Sequence, residues 1–205
     1  MANCIHTPIT DPNESMIKIR DGYVYDLDEA VRASRFPMMT YTSKASSEIT
    51  QTQMNLANSA PGSGHDNYLQ GIRVAFTMDI TVKALVEAER YHFFDIVSST
   101  STMHRITKFD MDDCYCKYVD RRMIGIMVEL IEEYTEHPTD EGYLKILYSN
   151  PCGFTYSIRF TTNYRQLKTI LNQREFHRLP EWKEFCRWIR TLPHSELITG
   201  DKEAA

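Results

Sequence analysis

Long apolar runs are absent from this chain of 205 residues, and nothing in it approaches the roughly 18 consecutive apolar residues that a membrane-crossing helix needs. Excess positive charge is absent too. The formal net charge is −5 and the sequence pI about 5.8, so no global basic field exists to hold nucleic acid, and no such partner is expected. Cys4, Cys114, Cys116, Cys152 and Cys186 are odd in number and form no disulfide-like framework, and the chain does not open on an apolar signal segment. A soluble protein of the reducing cytoplasm is the expectation. The chain also lacks a Gly-rich loop of the P-loop or dinucleotide type, a locally spaced Ser, His, Asp set, and any internal repeat.

What is present is ordinary for one globular domain: 42% hydrophobic and 25% charged residues, enough to bury a core. Residues 1–15 mix Pro, Asn, Asp and Thr without periodicity and read as a flexible N-terminus. The domain spans 16–195, and 196–205 read as a flexible tail. Residues 42–64, rich in Ser, Thr, Asn and Gly, predict a short helix followed by a mobile loop that delivers His65.

Alternation of Phe154, Tyr156, Ile158 and Phe160 with Thr155, Ser157, Arg159 and Thr161 predicts a strand with one buried face. Ile72 to Thr77 reads as a second strand, and Tyr23 to Tyr25 and Tyr143 to Tyr148 as weaker ones. Tyr164, Leu167, Ile170, Leu171 and Arg174 share one helical face, and Asn163 stands where an N-cap belongs. Pro180 suits the first turn of another helix, which carries Trp182, Phe185, Trp188 and Ile189 before Pro193 stops it. Longer amphipathic helices are expected over 80–97 and 118–135. The order implies an α+β single domain with a mixed or antiparallel sheet and long flanking helices.

Cys114 and Cys116 beside Asp110, Asp112 and Asp113 match no common zinc spacing, so a solvated loop is expected there and no metal. His65, the pair His104-Arg105 and the run Asn163, Arg165, Arg174 are more informative together. They supply cations and hydrogen-bond donors suited to an anionic, planar, phosphate-bearing ligand, and imply a shared cleft.

These residues resemble the motifs of the flavin-dependent thymidylate synthases. Met103-His104-Arg105 stands in the place of the family's R-H-R. Gly64-His65-Asp66-Asn67-Tyr68-Leu69-Gln70 is similar to its G-H-E/D-x-x-x-E segment, and Ala30-Val31-Arg32-Ala33-Ser34 to its A-A-R-x-S. Downstream, TTNYRQLKTILNQREFHRLPEW resembles T-x-N-x-R-x-L-x-x-F-L-x-x-R followed by H and Q-W-E, with Trp182 in the tryptophan's place. The similarity spans about residues 23 to 190.

The resemblance implies a homotetramer with FAD sites shared between subunits. Reduced FAD, replenished by NADPH, would take part in transferring a one-carbon unit from methylenetetrahydrofolate to C5 of dUMP, giving dTMP. It implies that Ser34, His104, Arg105, Ile106, Asn163, Arg165 and His177 contact FAD. His65 would lie near the flavin ring and the folate, with Gln70 in the position of the segment's glutamate. Arg174 would meet the pyrimidine and stabilise charge developing on it.

The departures fall on the nucleotide. The arginine that faces it in the family is Met103, the glutamine three residues earlier is Thr100, and a phosphate-binding arginine is Leu147, with Lys145 two residues away. The S-x-R-Y cradle corresponds to Tyr115-Cys116-Lys117-Tyr118, which leaves Lys117 as a phosphate cation. Each lost charge-assisted contact costs about 1.5–3 kcal/mol. UMP or dCMP as substrate, a hydroxymethyl product, or a non-catalytic flavin- or nucleotide-binding role therefore stand as alternatives. Ile80 to Thr102 is also longer than the family's span, and its ERYHFFD stretch reads as the surface of an amphipathic helix, with Tyr91, Phe93 and Phe94 partly in the core.

Overall fold

The computed structural model describes residues 15–200 and the backbone of residues 3–5; residues 1–2, 6–14 and 201–205, and with them most of the expected flexible ends, lie outside the described residues. Five strands, β1 (Asn3–Ile5), β2 (Lys18–Tyr25), β3 (Arg73–Thr81), β4 (Phe94–Ser99) and β5 (Thr155–Asn163), form one sheet in the order β1-β2-β3-β5-β4. Every pairing is antiparallel, which resolves the expected mixed or antiparallel sheet.

Period-two alternation determines which residues of β3 and β5 face inward. Val74, Phe76, Met78 and Ile80 are buried from β3, and Ile158, Phe160 and Thr162 from β5, with Phe76 directly opposite Phe160. The other face is polar: Arg20 donates to Asp79 Oδ2 at 2.9 Å and to Ser157 Oγ at 2.5 Å, and Arg159 donates to the carbonyl of Asp21 at 2.7 Å.

Helices α7 (Tyr164–Arg174) and α8 (Pro180–Ile189) close the apolar face. Asn163 ends β5 and caps α7, its Oδ1 accepting from Gln166 N at 2.9 Å. Pro180 opens α8, where its missing N–H leaves nothing unsatisfied. Phe185 and Trp188 of α8 meet Phe76 with ring centroids 5.6 and 4.6 Å away, and Phe76 also meets Phe94 and Phe160. Buried Glu184 of α8 accepts from the backbone N–H groups of Met16 and Ile17, tethering the segment before β2. Helix α1 (Leu27–Ala33) and helix α2 (Gln51–Ala57), the short helix expected in 42–64, add buried residues to this core.

A second, smaller core lies under α5 (Arg121–Glu136) and α6 (Asp140–Ser149), where Ile106, Cys114, Ile124, Met127, Ile146 and Phe154 are buried. Tyr143 to Tyr148 is thus helical and not a strand. Thr139 Oγ1 caps α6 by accepting from Gly142 N, and Ile146 packs at helical spacing. The stretch 80–97 is not one helix either. Thr81 ends β3 and caps α3 (Val82–Ala88), and the chain then turns so that Phe94 pairs with Thr162 in β4. ERYHFFD is accordingly a turn leading into a strand, with Phe94 buried, Tyr91 packed against the core and Phe93 exposed. At the C-terminus, α9 (Glu196–Thr199) buries Leu197 and Ile198, so the expected tail from 196 is structured as far as these residues. Two apolar side chains in four residues suffice to dock one helical turn.

Truncating Phe76 to alanine is expected to lower stability by about 3–5 kcal/mol, because it removes the ring that α8 and three strands share. A urea transition with a lower midpoint and unchanged slope is the readout. Burial pushes the thiols of Cys114 and Cys186 up to about 12. At pH 8 only on the order of one in ten thousand of each is thiolate. Ellman's reagent should therefore label exposed Cys152 in the native protein and reach Cys114 and Cys186 only after unfolding.

Candidate functional site

A cleft of about 990 Å³ opens between the end of α1, α2 and the turn following Gly64. Gly64 has φ of +77°, a conformation glycine adopts without Cβ strain, and it turns the chain so that His65 is exposed at this cleft. Ser34, just after α1, lines the opposite side. Its hydroxyl donates to the carbonyl of Val31 at 2.7 Å and accepts from Gln53 Nε2 at 3.2 Å. Gln53 is fully buried, and its Oε1 accepts from Thr50 at the start of α2, so the Ser34 hydroxyl is held by a side chain that is itself held. Pro37, Met39, Ala45 and Leu56 give the cleft apolar walls, and Lys44 gives it a cation.

On the other side of the Asn67–Gln70 turn, a groove of about 470 Å³ is lined by Gln70, Arg73, Asp95 and Asn163. Asn163 Oδ1 is committed to capping α7, so its Nδ2 is the group left for a ligand. Asp66, next to His65 in the chain, lines neither opening. It is 7% exposed and pairs with Arg165 at 3.1 Å and with Lys168 at 3.5 Å, while Lys168 also donates to the carbonyl of Ala57. Two cations on one carboxylate bind α7 to the turn carrying His65. Ser34 and His65 thus share one cleft and Gln70 and Asn163 the other, while Arg165 pairs with Asp66 beside His65.

His104 and Arg105 are not part of this neighbourhood within one chain. They lie on α4 (Thr102–Arg105), which follows β4 and not a long helix, at the opposite end of β5 from Asn163. Thr100 pairs with Ser157, and Thr102 Oγ1 meets Tyr156 OH at 2.9 Å. Six residue steps along the strand from Ser157 to Asn163 put about 20 Å between the two ends. Both side chains are exposed there, as is Met103, whose carbonyl accepts from Tyr143 OH at 3.1 Å. Ile106 is wholly buried in the second core, so its side chain meets no ligand.

The residues expected at the nucleotide share that far end. Lys117 lines a polar cleft of about 370 Å³ with Lys18, Asp79, Asp112 and Arg121. Lys145, on α6, pairs with Glu141 at 3.8 Å, while Leu147 packs on the second core as a hydrophobic residue. Cys114 is buried in that core, and Asp110 Oδ1 accepts from Asp112 N as a turn residue does.

Arg174, at the end of α7, lies in neither cleft. Its side chain is 12% exposed, its Nη1 is 2.7 Å from Glu87 Oε2 and its Nε donates to Tyr91 OH at 2.8 Å. The guanidinium also lies over the rings of Trp182 and Tyr91, at 4.8 and 5.6 Å from their centroids. His177 belongs to the same group: Leu179 N donates to its Nδ1, which leaves Nε2 carrying the proton, 3.4 Å from Glu87 Oε2. Glu87 and Gln53 have only weak sequence signals, an i,i+4 pairing of Lys83 with Glu87 and a Thr50-x-x-Gln53 capping box, while Asp66 stands at the E/D position of the G-H-E/D segment and Tyr91 was expected only as a packing residue.

No protein-family model matches this chain, and no curated protein matches it in sequence. Among solved structures it is similar to the flavin-dependent thymidylate synthase ThyX of Helicobacter pylori, crystallised with FAD and dUMP. The likeness has a TM-score of 0.67 and 14% identity, and covers 87% of this chain and 95% of that one. It is also similar to PolB of Streptomyces cacaoi, a UMP/dUMP methylase. The complex with 5-Br dUMP gives a TM-score of 0.61 at 16% identity over 89% of this chain and 94% of that one, and the complex with 5-Br UMP gives 0.63 at 13% identity. The chain therefore has the α+β fold of a flavin-dependent thymidylate synthase.

Proposed function

We propose that this protein is a flavin-dependent enzyme that transfers a one-carbon unit from methylenetetrahydrofolate to C5 of a pyrimidine nucleotide, with dUMP the first candidate and dTMP the product. The observation that carries the reading is the near full-length likeness to ThyX and PolB. The donor set of the clefts supports it. Planar, anionic FAD suits the larger cleft, where apolar walls face Ser34, Lys44 and His65. Asn163 Nδ2, Arg165 and Gln70 would extend the contacts on the other side of the Asn67–Gln70 turn. In reduced form, bound FAD supplies the hydride that completes the methyl group, with NADPH as its reductant.

The chain's own residues bind, orient and stabilise. His65 stands where a ring nitrogen can donate to or accept from a flavin or folate edge, and Arg174 stabilises negative charge on the pyrimidine. Since about 20 Å separates His104 and Arg105 from Asn163, a complete site takes His104, Arg105 and the backbone of Ile106 from another copy. Lys117, Lys145, Thr100 and Met103 would come with them towards the nucleotide. The resemblance supplies the proposed assembly, a homotetramer with shared sites, and cytoplasmic placement is part of the same reading. His177 supports Glu87, with both ring nitrogens engaged.

UMP is the second substrate reading. Met103 and Leu147 stand where the resemblance expects arginines, and PolB is described as a methylase of both UMP and dUMP. Tritium release from C5-labelled dUMP, UMP and dCMP separates the readings: release from dUMP supports the first, while release from UMP alone moves the substrate to the ribonucleotide. A colourless protein that takes up no FAD on reconstitution would overturn both. Replacing His104 and Arg105 together by alanine is expected to abolish stoichiometric FAD binding while leaving the far-UV circular dichroism unchanged. Full flavin content in that variant would remove these residues from the cofactor site.

A further inference from the structure

The placement of Arg174 has a chemical consequence for what it can bind. One oxygen of Glu87, Oε2, receives two donors, Arg174 Nη1 at 2.7 Å and Trp182 Nε1 at 3.2 Å, and His177 Nε2 lies 3.4 Å from it. Lys83 Nζ lies 3.6 Å from the other oxygen. Tyr91 OH accepts from Arg174 Nε and donates to Gln173 Oε1 at 3.0 Å, so its orientation is set from both sides. Between the two rings and the carboxylate, the guanidinium has one fixed position.

A guanidinium grips an oxyanion two-pronged along an edge that pairs Nη2 with either Nε or Nη1. Here Nε is committed to Tyr91 and Nη1 to Glu87, whereas Nη2 makes no hydrogen bond among the described residues. Presented this way, Arg174 suits a single acceptor such as a ring carbonyl oxygen better than a phosphate that needs a fork. Donors already fixed where charge develops avoid reorganisation at the moment of reaction.

We infer that Glu87 and Tyr91 are positioning residues that orient Arg174 so that Nη2 meets one carbonyl oxygen of the pyrimidine. This rests on the reading of Arg174 as the residue that faces the pyrimidine, and it assigns the phosphate to other cations. Both act through Arg174 and touch no substrate themselves.

Glu87→Gln and Tyr91→Phe, each nearly isosteric, test it by tritium release per bound flavin. Misdirecting a catalytic group lowers the rate about tenfold to a hundredfold, and kcat is expected to fall by that factor while KM stays within about threefold. Flavin content should not change. Combined with Arg174→Lys, neither variant should slow the reaction further, since residues that act as one unit are not additive. Unchanged kcat in both single variants, or multiplicative losses in the combinations, would overturn the positioning role and leave the proposed function standing. If Glu87→Gln does not fold, the Tyr91→Phe pair decides alone. A parent protein that loads FAD but is inert toward all three labelled nucleotides overturns both the role and the reading it rests on.

Discussion

The packing of α8 against the sheet through Phe76 is the contact on which the rest depends. Phe76 lies at the centre of β3, and the rings of Phe94, Phe160, Phe185 and Trp188 close around it. Aromatic pairs of this kind each add about 0.5–1.5 kcal/mol beyond the area they bury. The contact decides which face of the sheet is covered, and so which side chains of β2, β3 and β5 are left for polar pairing. It also holds α8 so that Trp182 underlies Arg174 and Glu184 reaches the backbone of Met16 and Ile17.

Two carboxylates, buried Asp66 and half-buried Glu87, then organise the candidate site. Asp66 gathers Arg165 and Lys168, while Glu87 gathers Arg174 and the N–H of Trp182, with His177 beside it. A carboxylate withdrawn from water needs cationic or N–H partners, and each here has them on α7 or the segment after it. Both pairs therefore tie α7 to earlier parts of the chain: Asp66 at its start, Glu87 at its end. The helix that follows Asn163 is thereby a rigid bar, with a cleft-forming turn at one end and a fixed guanidinium at the other.

The separation of His104 and Arg105 from that bar follows from β4. Once Phe94 pairs with Thr162, an antiparallel strand must carry the chain away from Asn163, and α4 starts where β4 ends. In the proposed function a site that takes both groups at close range draws them from two copies of the chain, the arrangement the resemblance implies. The cation deficit at Met103 and Leu147 lies at the same far end, and Lys117 and Lys145 are the cations the fold leaves near it.

Local periodicity determined a good part of this protein. The alternation from Phe154 to Thr161, Asn163 as a cap, Pro180 as a helix start and the apolar stripes of α7 and α8 were legible because each arises among residues a few positions apart. Tyr143 to Tyr148 and residues 80–97 were misread because their short apolar patterns suit strand and helix alike, and long-range packing chose between them. The partners of Arg174 were decided only by the tertiary structure. Glu87 lies 87 residues before it and Lys168 lies 102 after Asp66, and no spacing rule reaches across such distances. The sequence by itself determined which groups the protein carries, since their chemistry is local. Which of them face a ligand and which face one another depended on how the sheet brought distant segments together.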